Sequence, residues 1–132
     1  MSVTSTAYSG REAARLMAVQ ALYQMDIAEA PLEKVIEEFN TYRLAFPIET
    51  EEGNVTFPDA DRDHFEALLR GVIDEQRHID KAINDLLREG WLLKRVDITL
   101  RAIMRAGTFE LMFCKDIPVK VCIAEYTSMA NA

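Results

Sequence analysis

The sequence is poor in the residues that break helices, bridge chains or bind phosphate loops. Its 132 residues include 5 glycines, 4 prolines and 2 cysteines. Three of the four prolines, Pro31, Pro47 and Pro58, lie in one stretch, so most of the remaining chain is free to be helical. So few glycines leave little material for a phosphate cradle, and no Gly-rich loop is spelled. Cys114 and Cys122 flank Pro118 and form neither a CxxC pair nor a zinc pair. They read as buried apolar side chains in a reducing cytoplasm. No run approaches the roughly 18 apolar residues of a membrane span. The opening MSVTSTAYSG has neither a basic start nor an apolar stretch, so it does not read as a secretion signal.

Catalytic and metal-binding sets are equally scarce. His64 and His78 have no His, Cys or Glu partner at ligand spacing and read as surface residues. Asp59, Asp61 and Asp63 alternate like the start of a calcium loop. The pattern then fails twice, with His64 at its sixth position and Arg70 at its twelfth. An acidic helix start explains these aspartates better. No Ser/His/Asp set is suggested. The expectation is a protein with no metal, no cofactor and no catalysis.

What the chain does have is apolar material and unevenly placed charge. Hydrophobic residues make up 49% of it, enough for one domain over residues 1–132. The net charge of −7 argues against nucleic acid at first sight. The excess acid is concentrated in residues 29–75, which carry thirteen acidic and four basic side chains. Residues 1–28 are neutral, and residues 76–132 carry nine basic against seven acidic side chains. The two flanks could therefore share a neutral-to-basic face.

Helical periodicity recurs along the chain. Residues 1–9 are expected to be disordered. Ala14, Met17, Ala18, Ala21, Leu22 and Met25 then form one stripe. Pro31 opens a second segment with Leu32, Val35, Ile36 and Phe39 inward. Residues 44–58 read as a loop between two halves. The stretch Pro58-Asp59-Ala60-Asp61 starts a third helix, with a stripe of Phe65, Leu68, Leu69, Val72 and Ile73. Ile79, Ala82, Ile83, Leu86 and Leu87 give a fourth, stopped by Gly90. Leu100, Ile103, Met104, Gly107 and Leu111, widened by Ala102, Ala106, Phe109 and Phe113, predict a fifth helix buried on most sides. Pro118 begins a sixth with Val119, Cys122, Ile123 and Tyr126 inward. No strand alternation competes, so the fold class is all-α.

Basic residues recur at helical spacing. Arg11 and Arg15 share a face of the first helix, and Arg101 and Arg105 share one on the fifth. Solvated helix faces or a phosphate-contacting surface would both produce this pattern. Spacing alone leaves the two open.

Three ordered segments carry a family resemblance. Arg11-Glu12-Ala13-Ala14-Arg15 running into Ala18-Val19-Gln20-Ala21-Leu22-Tyr23-Gln24 resembles the arginine-bearing start and A-x-Q-A-L-Y stretch of the NusB family. Leu100-Arg101-Ala102-Ile103-Met104-Arg105 through Phe109-Glu110-Leu111 is similar to its R-A-I-L-R-x-A-x-Y-E-L segment. Asp116-Ile117-Pro118-Val119-Lys120-Val121-Cys122-Ile123-Ala124-Glu125 resembles its D-V-P-x-x-V-x-I-N-E. The resemblance covers about residues 11–130. It implies two small three-helix bundles packed together and no catalysis.

The implied role is antitermination of transcription in a bacterial cytoplasm. Such a protein binds boxA-type nascent RNA with NusE, a ribosomal small-subunit protein, and works within the RNA polymerase antitermination complex on ribosomal RNA operons. A homodimer is a further state that the resemblance allows. By position it implies RNA contacts at Arg11, Arg15, Gln20, Arg101, Arg105 and Lys120, and partner contacts at Tyr23, Leu100 and Arg101. The sequence departs from the pattern at Leu100, where a glutamate is common, and at Ala124, where asparagine is usual. Relatives are expected to continue beyond the position of Ala132 with one more helix covering the fifth. The chain alone is therefore expected to be marginally stable or self-associated. Two other readings fit the same residues. One is a helical protein-interaction module without RNA binding. The other is a NusB-like domain related to those of ribosomal RNA methyltransferases.

Overall fold

The computed structural model describes residues 10–43, 48–50, 53–55 and 61–132, with backbone alone for residues 42–43 and for 48–50 and 53–55. The expectations for residues 1–9 and for Pro58, Asp59 and Ala60 fall outside the described residues. Six α-helices carry the architecture: α1 (Gly10–Ala28), α2 (Leu32–Glu38), α3 (Arg62–Asp74), α4 (Gln76–Leu86), α5 (Ile98–Phe113) and α6 (Val119–Ala130). The expected all-helical class holds, with one addition. Part of the stretch read as a loop forms a small antiparallel hairpin, β1 (Ile48–Thr50) and β2 (Gly53–Val55), in which Ile48 pairs Val55. Strands three residues long are too short to show alternation in sequence.

The helix starts follow local chemistry. Pro31 and Pro118 occupy the N-cap positions of α2 and α6 with extended backbone. Asp61 caps α3, its side chain accepting from the His64 backbone N–H at 2.8 Å. Asp97 caps α5 by accepting from Thr99 and Leu100. The end of α4 departs from expectation. The helix stops at Leu86, and Gly90, with φ +88°, serves the turn that follows.

α1, α2 and α3 contact one another, and α5 packs on α4 and α6. α1 and α3 in turn pack on α5, so α1 and α5 form the seam between the two groups. Ala13, Ala14, Ala18 and Ala21 of α1 and Ala102 and Ala106 of α5 are buried in the common core, where small side chains let helices approach closely. Phe39, in a π-helical turn (Phe39–Arg43) that extends α2, stacks on Phe65 of α3 with ring centroids 5.7 Å apart. Gly71 is required by packing: a β-carbon there would lie 2.1 Å from the ring of Phe109.

The outer faces of α4, α5 and α6 are less covered than the apolar stripes predict. Leu86 is 88% exposed, and Val119 and Ile123 are more than half exposed. Leu100, Leu111, Met112 and Phe113 are also exposed, so α5 is not buried on most sides. Leu86, Leu100, Leu111 and Ile123 line one apolar groove.

Candidate nucleic-acid and partner interface

Arg11 and Arg15 were expected to share a solvated basic face; the structure separates them. Arg11, one residue into α1, is exposed, with only long ion-pair distances to Asp61 (3.5 Å) and Asp116 (3.9 Å). Arg15 is buried. Its Nε and Nη2 donate to both oxygens of Glu110 at 2.8 and 3.1 Å, and its Nη1 donates to Glu125 at 3.1 Å. A direct RNA contact by Arg15 is therefore corrected: every arm of its guanidinium is committed inside the protein. One turn of helix carries the side chain from solvent to the seam with α5, and a buried guanidinium persists only where carboxylates meet it.

Glu110 is the centre of this arrangement. It is fully buried on α5, on the same face as Ile103, Ala106 and Gly107. Besides Arg15 of α1 it meets His64 Nε2 of α3 at 3.1 Å, Tyr126 Oη of α6, and Cys122 Sγ of α6 at 3.7 Å. Side chains from three helices thus converge on a carboxylate carried by a fourth. With Glu110 ionised, its bond to His64 requires the imidazole proton on Nε2. Expecting a surface histidine was wrong for His64, whereas His78 is exposed beside Glu75. Burial alone would raise the Glu110 pKa, but bonds from His64, Arg15 and Tyr126 outweigh it and bring it down from 4.5 to about 2. Burial and the Glu110 charge both push the Tyr126 phenol up. They also raise the Cys122 thiol, which is buried as expected and held in its unreactive form.

The sign of the resulting pH dependence is definite. A depressed carboxylate stabilises the fold above its unfolded pKa and loses that contribution as pH falls toward its folded value. A displacement from 4.5 to about 2 is worth about 3 kcal/mol. Urea midpoints should therefore fall steeply between pH 4.5 and about 2, and Glu110→Gln should flatten that limb. Equal acid sensitivity in both proteins would place the titrating group elsewhere.

The second arginine pair is also largely committed. Arg105 makes a two-pronged contact with Asp80 of α4, at 2.9 and 3.0 Å, and lies 3.5 Å from Asp26 of α1. Arg101 sits 3.2 Å from Asp26 and donates to the Lys94 carbonyl. These two arginines tie α5 to α1 and α4, which leaves them less available to phosphate than their spacing suggests. Gln20 and Lys120 are exposed, as surface contacts require.

Tyr23 is exposed on α1 and lines an apolar groove with Gln20, Ile27, Phe39 and Thr99. Leu100, a second expected partner contact, lies in the separate groove over α4 and α6, and Arg101, the third, is tied to Asp26. Thr99 is the α5 residue that joins Tyr23. Two features escaped the sequence reading. Glu110 was legible in principle, as a charge on an apolar stripe. The contribution of Thr99 depends on how the start of α5 meets α1, which no local pattern encodes. Among the described residues no three His, Cys, Asp or Glu side chains are grouped to hold a metal ion. No described helix is long and apolar enough to cross a membrane.

Comparison with known proteins agrees with this architecture. A "Transcription antitermination protein NusB" of Maricaulis maris is 48% identical over 122 residues, covering 92% of this chain and 74% of that protein. One of Allorhizobium ampelinum is 47% identical with the same coverage. The structure described as "T. maritima NusB" superposes with a TM-score of 0.72 at 27% identity, covering 94% of this chain and 79% of that one. A chain in the structure described as "Crystal Structure of a Plectonemic RNA Supercoil" shares the fold, with a TM-score of 0.65 at 21% identity, covering 89% of this chain and 76% of that one. The model of the NusB family matches residues 12–132, nearly all of α1 through to α6, and the chain belongs to that family.

Proposed function

We propose that this chain is a transcription antitermination factor that binds boxA-type nascent RNA jointly with NusE, as part of the RNA polymerase antitermination complex in the bacterial cytoplasm. The observation that carries the reading is the division of labour along α1. Exposed Arg11 stands at its start, and the Tyr23 groove lies twelve residues on, about 18 Å at 1.5 Å per residue. One helix thus offers a cation to RNA and an apolar groove with a phenol to a protein, on a chain of the NusB family. Lys120 and Gln20 are the other exposed residues assigned to the RNA surface. Basic side chains fix the backbone, and sequence is read on unstacked bases.

Arg11→Ala should weaken boxA RNA binding without changing the melting temperature, since its ion pairs are long and exposed. The slope of log affinity against log salt should flatten by about one unit. Identical salt curves for parent and variant would place the phosphate contacts elsewhere. Tyr23→Ala should cost at least ~1 kcal/mol of NusE affinity, because a half-exposed tyrosine in an apolar groove suits an interface. An unchanged affinity with a large drop in melting temperature would instead assign Tyr23 to packing.

A further inference from the structure

Between the start of α1 and the start of α6 lies a hollow of about 450 Å³. Its walls combine Arg11 and Asp116 at the rim, Pro118 and Val121 as an apolar side, and Glu125 with Arg15 behind it. Glu125 is unusual among the surface carboxylates. Its Oε1 accepts from Arg15 Nη1, and that guanidinium is itself locked by Glu110. The carboxylate is thereby pinned from inside the core, although about a quarter of its side chain reaches solvent. Arg15 engages this carboxylate through Oε1.

We infer that this hollow is a nucleobase subsite selective for guanine, with Glu125 the residue that reads it; the inference rests on the RNA-binding reading above. A carboxylate has two acceptor oxygens and no donor. On the Watson–Crick edge only guanine offers two adjacent donors, N1–H and N2–H. Adenine and cytosine place a ring acceptor beside their amino group, and uracil flanks its N–H with two carbonyls. Each of those three would bring a lone pair against the carboxylate. Unstacked bases of single-stranded RNA expose this edge. Pro118 and Val121 supply an apolar surface for the base plane. Arg11 at the rim is placed for a flanking phosphate, while the carboxylates keep the backbone itself out of the hollow. Glu125 needs no reorganisation to bind, because Arg15 already orients it.

The test uses fluorescence anisotropy at one fixed salt concentration with the intact chain. The probes are short oligouridylates carrying a single central guanosine, inosine or adenosine. Inosine keeps N1–H and lacks the 2-amino group. Binding should weaken about fivefold for inosine and about tenfold or more for adenosine, the scale of a two-pronged base contact. Glu125→Gln, whose amide oxygen can still accept from Arg15, should bind all three probes alike and match the parent's affinity for adenosine. Equal affinities of the unaltered protein for the three probes would overturn the subsite and leave RNA binding standing. A uniform loss in Glu125→Gln with the ranking preserved would make Glu125 structural only. Failure to bind any probe would remove the RNA surface and the subsite together.

Discussion

Glu110→Ala is expected to be the most damaging single substitution in the chain, costing about 3–5 kcal/mol in urea denaturation. The reason lies less in what Glu110 contributes than in what its loss strands. Arg15 would remain buried at the α1–α5 seam with its two best bonds gone. His64 Nε2 and Tyr126 Oη would lose their acceptor in the same interior. A domain of ordinary stability holds only about 5–15 kcal/mol, so this loss would bring the protein close to unfolding. Arg15→Ala should cost a similar amount by stranding the carboxylate instead. The double replacement Arg15→Met with Glu110→Leu should cost less than the two single alanine changes added together. An apolar pair of similar volume removes both charges at once, and such swaps are often tolerated. Additive single and double effects would contradict a mutually dependent pair. Of these two arginines of α1, Arg11 is the one expected to be dispensable to the fold.

Phe65→Ala should be nearly as severe, at about 3–5 kcal/mol. Phe65 is fully buried and stacks on Phe39 with its ring plane inclined by 25°. Truncation leaves a void against a ring that belongs to the π-helical turn after α2, so the expected damage is spread over α2 and α3 rather than confined to one site. Phe39→Ala should match it, and the pair should be non-additive because the rings contact each other. Amide exchange would localise the effect: protection should fall first in Leu32–Arg43. A loss under about 1 kcal/mol would mean that neighbouring side chains collapse into the space.

The helices were legible because their signals are local. Apolar residues at three- and four-residue spacing place α1 and α3, and Asp61, Pro31 and Pro118 mark where helices begin. Burial of a particular side chain was less legible. Arg15 and Arg11 share a face by spacing, yet one reaches a carboxylate on α5 and the other reaches water. That choice is made by a residue 95 positions away. The same limit applies to Leu86 and Ile123, which satisfy the helical period but face outward. Periodicity says that a face is apolar and does not say what covers it. Arg11 and Tyr23, the residues proposed for the interface, came from a family resemblance; the structure adds that Arg11 is exposed and that Tyr23 lines an apolar groove.

The 95-residue separation between Arg15 and Glu110 also bears on how the chain is made. α1 leaves the ribosome well before α5. The guanidinium of Arg15 finds its carboxylate on α5, and part of the packing of α1 is against that helix, synthesised much later. Until then α2 and α3 are the helices on which α1 can pack. Closing so long a loop delays native assembly until residue 110 has emerged. The N-terminal helices should thus behave as a waiting, protease-sensitive intermediate during translation, and slow codons placed before α5 should prolong it.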